Sequence, residues 1–381
     1  MIRSLRSAAF AVPLSLALAS CSGNSPPADK PCPAGQSCAA PVYVACFATN
    51  EVRGVTRDLQ PAGIARPVGQ GPVSLFLDGD TLWVSHSLGA PEVDAIISGG
   101  VPTKHVLAAG GDLEYLRVHS GRVYVSNAML NTVTVLDAGT GGVVDEVSMA
   151  AHAGDFVNPR AIDFVGSRAY VALPGGSGSD ASFAVGQEVA VVDFSTTPGH
   201  VVKRVSMNVP GAFDAPGLPF PYRLVAVGTK VYVALANLKL SPPDPKFGSN
   251  YIIPAGDGRL AVIDTAANDT VSTVDLGAGC QNPSGLALDG STLWVSCSNG
   301  AVVPVAIAPL TPAVGSAIAT PSGFVPGNVT VCRGAGYVTD QFSGSVARFD
   351  TVARTMAPAV DICPVDPTAG FAFAADVACV P

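Results

Sequence analysis

A motif of two alternating strands joined by a polar turn recurs along the whole chain, and its recurrence restricts the possible folds more than any other feature. The clearest copy is RVYVSNAMLNTVTVLD, residues 122–137. Alternation of apolar and polar residues is typical of β-strands with one buried face. The aromatic residue of the motif returns at these positions: Tyr43, Trp83, Tyr124, Tyr170, Tyr232, Trp294 and Tyr337. Most of the intervals are 40 to 46 residues, which is the repeat length of a β-propeller blade.

Each copy belongs to a larger unit with four predicted strands. An alternating strand and a tight turn precede the aromatic residue, and a glycine supplies the positive-φ position of that turn, at Gly79, Gly121, Gly166, Gly228 and Gly290. A third strand ends at an aspartate that can cap the next turn, at Asp137, Asp193, Asp264 and Asp350. A more variable fourth segment follows. Four antiparallel strands, repeated seven times, predict an all-β fold, a seven-bladed β-propeller.

The two ends of the chain predict how the ring of blades closes. Residues 42–59, VYVACFATNEVRGVTRDL, already resemble a second and a third strand. The last residues, PTAGFAFAADVACVP, resemble a first strand with nothing after it. We therefore expect the C-terminal strand to join the N-terminal blade, which leaves no open edge between blades. One propeller domain is predicted over residues 42–381.

Two tetrapeptides carry a resemblance to a known type of repeat. They are Tyr-Val-Ser-Asn at 124–127 and Tyr-Val-Thr-Asp at 337–340, and the third strand TVTVLDAGTGGVV fits the same pattern. Together they resemble the YVTN β-propeller repeats of bacterial surface proteins, over about residues 42–381. The resemblance implies the fold and a bacterial envelope protein. It implies no particular activity, because such repeats are structural and underlie many functions.

The N-terminal segment predicts export and lipid anchoring. Residues 1–20 have two arginines, an apolar run and small residues, as in a lipoprotein signal peptide. The run is too short to span a membrane. Leu18-Ala19-Ser20-Cys21 resembles a lipobox, which implies cleavage before Cys21 and lipidation of that residue. Residues 21–41 are rich in Pro, Ser, Ala and Gly and are predicted to form a flexible tether.

The predicted location is the bacterial cell envelope, with attachment to the outer membrane through the lipid anchor. Ser22 follows the lipidated cysteine, where Asp is the signal for retention in the inner membrane. Whether the protein lies in the periplasmic or the surface leaflet stays open. The formal net charge is -8 and no cluster of Lys and Arg follows residue 21, so a nucleic-acid partner is excluded. We expect a monomer.

The cysteines predict disulfides. Nine are present, and lipidation of Cys21 leaves an even number in an exported chain. Cys32 and Cys38 are expected to clip a small loop in the tether. Cys280 and Cys297 flank the first two strands of one blade and are expected to pair, and the same blade positions pair Cys46 with Cys363. Cys379 competes for these partners, and Cys332 takes whichever cysteine remains. The sequence has no CxxC pair and no haem-attachment motif, which disfavours metal and redox functions.

Two long insertions form the first candidate binding region. They cover residues 174–187 and 237–258, after the second strands of consecutive blades, so they should adjoin on one face. The second insertion carries side chains able to hold a polar partner: Lys239, Lys246, Phe247 and Tyr251. The alternative is a tolerated insertion without a role.

The mouth of the central channel, where the first strands begin, is the second candidate. Arg160, Tyr222 and Arg223 are candidate binding residues there. Oxygen ligands converging on the axis could hold calcium, with these candidates: Glu114, Asn158, Asn282 and Asp366. In metal-dependent lactonase-type propellers such a ring activates water. The alternative is that Asn-Pro and Asp-Pro pairs form ordinary turns before strands.

No catalytic residue is predicted. His86 occupies the position that Asn127 and Asp340 fill in other blades, which favours a role in the turn over a role as a base. The sequence therefore favours a non-catalytic binding platform for a protein, peptide or glycan, acting through the loops of one face. A calcium-dependent hydrolase or lactonase that uses the channel mouth is the alternative, and calcium is the only cofactor considered.

Overall fold

The computed structural model describes residues 41–97, 100–107, 111–176, 185–213, 217–242, 251–308 and 311–380. The predicted signal peptide, the lipidated Cys21 and the Cys32–Cys38 pair lie outside the described residues. Within the described ranges, no helix has the length and apolar character needed to cross a membrane.

Seven antiparallel sheets form the blades, and the inner, second, third and outer strands follow one another along the chain in all but the first. Blade 1 contains β1 (Val42–Cys46), β2 (Glu51–Val55), β3 (Pro61–Pro67) and the C-terminal β32 (Ala374–Cys379). Blade 2 contains β4 (Pro72–Asp78), β5 (Thr81–His86), β6 (Glu92–Ile97) and β7 (Thr103–Val106). Blade 3 contains β8 (Leu113–His119), β9 (Arg122–Asn127), β10 (Thr132–Asp137) and β11 (Val143–Ser148). Blade 4 contains β12 (Ile162–Val165), β13 (Arg168–Leu173), β14 (Glu188–Asp193) and β15 (His200–Ser206).

Blades 5 to 7 complete the ring. Blade 5 contains β16 (Pro221–Val227), β17 (Lys230–Leu235), β20 (Arg259–Asp264) and β21 (Thr270–Asp275). Blade 6 contains β22 (Pro283–Asp289), β23 (Thr292–Cys297), β24 (Ala301–Ala306), β25 (Ala313–Val314) and β26 (Ile318–Ala319). Blade 7 contains β27 (Pro326–Cys332), β28 (Ala335–Asp340), β29 (Ser345–Asp350), β30 (Thr355–Met356) and β31 (Val360–Asp361). The outer strands of blades 6 and 7 are each split into two short pieces. A separate hairpin, β18 (Leu238–Leu240) with β19 (Ile252–Pro254), rises from blade 5, and a short 3-10 helix covers Thr265–Ala267.

The ring closes as predicted. β32 is the inner strand of blade 1 and pairs antiparallel with β1, with Val42 opposite Cys379 and Val44 opposite Val377. The inner strand of every blade contacts the inner strand of the next, from β4 round to β32 and back to β4. The seven-bladed propeller and its closure by the C-terminal strand are therefore confirmed.

Two disulfides cross the seam between the chain ends. Cys46, at the end of β1, bonds Cys363 in the loop before β32, with Cα atoms 5.2 Å apart. Cys332, at the end of β27, bonds Cys379 at the end of β32. The partner of Cys379, which the sequence left open, is therefore Cys332. The third disulfide, Cys280–Cys297, joins the start and end of the first hairpin of blade 6, as the sequence predicts.

The repeated aromatic residue packs each blade against the next one. Tyr124 of blade 3 lies against Phe164 and Phe194 of blade 4, with ring centroids 4.6 and 4.9 Å apart. Trp294 of blade 6 packs on Phe349 of blade 7 at 5.0 Å. Burying a large apolar side chain stabilises a fold by about 1.5–3 kcal/mol. The recurrence of the motif therefore reflects one packing requirement at successive blade interfaces.

The ends of the strands define two faces. The turn face holds the turns between inner and second strands, where Gly79, Gly121, Gly166, Gly228 and Gly290 have φ from 55° to 72°. The predicted aspartate caps lie on the same face, where Asp137 accepts hydrogen bonds from the backbone amides of Gly139 and Thr140. The loop face is the opposite one, where inner strands begin and second strands end.

Candidate functional site

Two inner strands carry a bulge near the end at which they begin, on the loop face. The register of β8 against β9 shifts between Leu113 and Tyr115, which leaves Glu114 in the bulge. β16 has the same irregularity between Pro221 and Arg223, with Tyr222 in the bulge. Bulges commonly re-aim a side chain beside a functional site. Here the bulged residues are an acidic and an aromatic residue, near the starts of the inner strands of blades 3 and 5.

A buried ion pair lies at this mouth. Arg160, which leads into β12, places Nη1 2.5 Å from Oε2 of Glu114. Only 9 % of Arg160 and 2 % of Glu114 is exposed, so the pair bridges blades 3 and 4 away from bulk water. The Arg160 guanidinium also lies over the ring of Tyr222, 5.4 Å from its centroid. Burial raises the pKa of Glu114 to about 7, against the charge of Arg160, which lowers it.

A second buried arginine lies against the same tyrosine ring as Arg160. Arg223 is 1 % exposed and lies over the rings of Tyr115 and Tyr222, at 5.4 and 5.5 Å from their centroids. Its Nη2 donates a hydrogen bond of 2.5 Å to Oδ1 of Asn328 in β27. Asn328 in turn donates to the carbonyl of Ala375 in β32. Burial lowers the pKa of Arg223 to about 10. This network links the inner strands of blades 5, 7 and 1.

Further polar contacts tie the inner strands together around the axis. Oδ2 of Asp376 accepts a 2.6 Å hydrogen bond from the amide of Leu75, which joins blades 1 and 2. The amide of Leu116 donates to Oγ of Ser74, which joins blades 3 and 2. Tyr115, Ser74 and Asp376 are not among the predicted site residues. Each of them is the third residue of an inner strand, and this shared strand position could have identified them from the sequence.

The predicted calcium ligands occupy separate environments. Asn158 has φ 52°, and its Nδ2 donates to the carbonyl of Gly175 beside the mouth. Asn282 donates to Ser298 of blade 6. Asp366 accepts the amides of Thr368 and Ala369 in an exposed turn before β32. Among the described residues, no three His, Cys, Asp or Glu side chains gather in a geometry suited to a metal ion.

His86 holds a loop in place. Its Nε2 lies 3.0 Å from Oδ2 of Asp94, and both side chains are buried. The same Asp94 oxygen accepts the amide of Gly69 in the loop before β4. Burial raises the pKa of Asp94, but the hydrogen bonds from His86 and Gly69 lower it more, so the net shift is downward. The contact joins the second strand of blade 2 to its third strand and to the loop between blades.

The described ends of both insertions meet on the segment that leads into β16. Leu218 exchanges two backbone hydrogen bonds, of 2.8 and 2.9 Å, with Leu238 at the start of the hairpin. Gln187, at the end of the first insertion, accepts the amide of Phe220 and donates to the carbonyl of Pro174. Tyr222 and Arg223 follow two and three residues after Phe220. The insertions of blades 4 and 5 are therefore connected to each other and to the channel mouth.

The hairpin carries part of the predicted binding set. Lys239 lies in β18, and Tyr251, which is 40 % exposed, immediately precedes β19. Lys246 and Phe247 lie outside the described residues. The hairpin follows the second strand of blade 5, the blade that contributes Tyr222.

Comparisons with known proteins support the class of fold. No protein-family model and no curated protein matches the chain. Among solved structures, hydrazine synthase of Kuenenia stuttgartiensis is similar, with 15% identity, a TM-score of 0.54, and coverage of 82% of this chain and 90% of that chain. Apo AztD from Citrobacter koseri is similar with 14% identity, a TM-score of 0.53, and coverage of 88% and 96%. At these identities the likeness concerns the fold alone: the chain is a seven-bladed β-propeller, a scaffold that carries binding and enzymatic functions.

Proposed function

We infer that this chain is an exported, lipid-anchored protein of the bacterial cell envelope that binds a protein, peptide or glycan through its loop face without catalysis. The observation that carries the proposal is the segment 217–220. It is hydrogen-bonded to the described ends of both insertions and runs directly into Tyr222 and Arg223 at the channel mouth. The projecting hairpin and the mouth therefore form one surface on a rigid ring.

The contacts at the base of the hairpin support a binding role for it. Two backbone hydrogen bonds connect Leu238 to Leu218, and Leu238 itself is buried. Beyond this base, Tyr251 presents an exposed aromatic ring. Tyrosine is a frequent contributor to protein interfaces because it combines a large apolar area with a polar end and few rotatable bonds. A loop held at its base by a scaffold is the usual place for such residues.

The direction in which the chain enters the propeller suits an anchored platform. β1 begins at the turn face, where the carbonyl of Pro41 accepts the amide of Val380. The proposed tether would therefore leave the propeller from the face opposite to the loop face. The proposed tether of residues 21–41 spans at most about 70 Å when fully extended. In this arrangement the loop face is available to a partner away from the membrane surface.

Shortening the hairpin tests the proposal. Residues 241–251 are replaced by Asn-Gly, a two-residue turn that joins the paired residues Leu240 and Ile252. Pull-down from a native envelope extract should lose the partner that the unaltered protein captures, while the melting temperature changes little. The matched control is Val352→Ala, an exposed side chain on the turn face, which should retain capture. Equal capture by the shortened and unaltered proteins would contradict a role for this surface.

A calcium-dependent hydrolase is the second candidate. It is favoured by the buried carboxyl of Glu114 near the start of an inner strand. The Arg160 guanidinium opposes it, because a cation bound there would lie next to a positive charge. Metal analysis of the purified protein separates the two candidates. Stoichiometric calcium that disappears together with hydrolase activity in Glu114→Ala would establish the second and overturn the first.

A further inference from the structure

A cavity of about 560 Å³ opens on the turn face between blades 5 and 6. Its wall is formed by the first turn of each of these blades, the start of β17 and the residues that follow β24. The side chains that matter for its chemistry are Val227, Thr229, Lys230, Tyr232, Ile307 and Ala308. Binding sites for small molecules measure about 300–1,000 Å³. This turn-face cavity therefore has the size of a small-molecule site.

Shorter side chains at this blade interface explain the cavity. Between blades 3 and 4, Tyr124 packs against the rings of Phe164 and Phe194. Phe164 stands two residues before the glycine of the first turn, and Phe194 directly follows the third strand. Blade 6 has Leu288 and Ile307 at these two positions. Two aliphatic side chains therefore stand where blade 4 has two phenyl rings, and they leave space that those rings fill.

Tyr232, the repeated aromatic residue of blade 5, faces this space. The hydroxyl groups of its counterparts are bound across their own interfaces: Tyr170 donates to Oδ1 of Asp269 at 2.8 Å, and Tyr337 donates to the carbonyl of Arg57 at 3.0 Å. Within the described part of the chain, Tyr232 has neither a hydrogen-bond partner for its hydroxyl group nor another ring against its own. Both parts of the side chain are therefore available to a bound molecule.

Lys230 supplies a positive charge to the same wall. It lies two residues before Tyr232 on β17, so the two side chains are on one side of the strand. Asp264 is opposite Lys230 in the register, but its Oδ1 accepts the backbone amides of Ala266 and Ala267. Among the described residues Lys230 forms no ion pair. A half-buried ammonium group without a carboxylate partner is suited to an anionic ligand.

We propose that the turn-face cavity binds a small aromatic carboxylate. The ring of the ligand packs against Tyr232 and Ile307, in the space that phenylalanine rings occupy in blade 4, and the carboxylate pairs with Lys230. Thr229 lies at the exposed rim and offers a hydroxyl donor to the same carboxylate. This site is on the face opposite to the loop face, so the proposal does not depend on the proposed binding of an envelope partner.

Saturation-transfer NMR titration of the full-length protein tests the proposal with three probes. Phenylacetate carries both the ring and the charge, phenylacetamide is its uncharged counterpart, and acetate lacks the ring. Phenylacetate should bind, and phenylacetamide should bind ~10-fold more weakly because it loses the charge-assisted contact with Lys230. Acetate should bind at least ~10-fold more weakly because no ring is buried.

Substitutions in the wall of the cavity locate the binding. Lys230→Gln should weaken the binding of phenylacetate ~10-fold and leave the affinity for phenylacetamide unchanged. Arg168→Gln is the matched control, because Arg168 is the first residue of β13 as Lys230 is of β17, and it should retain full affinity. Ile307→Phe introduces the residue that blade 4 has at this position, fills the cavity and should weaken the binding of phenylacetate at least ~10-fold.

Three outcomes would overturn the proposal. They are the absence of phenylacetate binding, equal affinities for phenylacetate and phenylacetamide, and an unchanged affinity for phenylacetate in Lys230→Gln. Should Ile307→Phe fail to fold, Ala308→Trp decides, because Ala308 is exposed at the rim and a large ring there blocks entry without repacking the core. Undiminished binding in Ala308→Trp would place the ligand elsewhere and overturn the assignment to this cavity.

Discussion

The disulfide between Cys46 and Cys363 should contribute more to stability than either of the other two described disulfides, because it closes by far the longest loop. Its cysteines are 317 residues apart, against 47 for Cys332–Cys379 and 17 for Cys280–Cys297. A cross-link lowers the entropy of the unfolded chain by an amount that grows with the logarithm of loop length. The chain-entropy relation gives contributions of about 6, 4 and 3 kcal/mol in that order.

Three double variants measure the effect, each replacing both cysteines of one disulfide by alanine. All six side chains are buried, so the loss of packing on truncation is similar in the three proteins and cancels in the comparison. The free energy of unfolding is obtained from guanidinium titrations under oxidising conditions. The Cys46–Cys363 variant should be less stable than the Cys280–Cys297 variant by about 3 kcal/mol.

The test depends on how the three variants rank in the free energy of unfolding that they lose. Equal losses, or the greatest loss from the Cys280–Cys297 variant, would refute the argument that closure of the ring by a covalent bond acts on the unfolded chain. Such a result would mean that local packing, and not the length of the closed loop, governs what these bonds contribute.

Further predictions concern the channel and the anchor. Because burial raises the pKa of Glu114 to about 7, the folded protein binds a proton more tightly than the unfolded chain, and stability should fall by about 3 kcal/mol as the pH rises from 4 to 8. Glu114→Gln should remove that part of the pH dependence in denaturant titrations; an unchanged profile would contradict it. Asn328→Ala should lower the free energy of unfolding by about 2–3 kcal/mol, because Arg223 loses a buried hydrogen bond, and an undiminished melting temperature would disprove this role. Cys21→Ser should move the protein from the detergent phase to the aqueous phase in a partition experiment, and retention in the detergent phase would exclude lipidation of Cys21.

Much of the candidate site could be anticipated by sequence position, although its contacts could not. The start of each inner strand was predicted to lie at the channel mouth, and the structure does bring Glu114, Arg160 and Tyr222 together there. The sequence suggested convergence on a cation, whereas the structure pairs Glu114 with Arg160. Which side chains meet across the channel depends on the tilt and bulging of strands from different blades, and these are properties of the closed ring.

The sequence by itself determined the repeating unit, the number of blades, the closure by the C-terminal strand and two of the disulfide pairings. These follow from local rules, because alternation, turn glycines and capping aspartates act within a few residues and recur in each blade. Only the tertiary structure decided the partner of Cys379, the meeting of the two insertions on residues 217–220, and the ion pair of Arg160 with Glu114. Such features join residues from different blades, and their distances exist only once the inner strands share one axis.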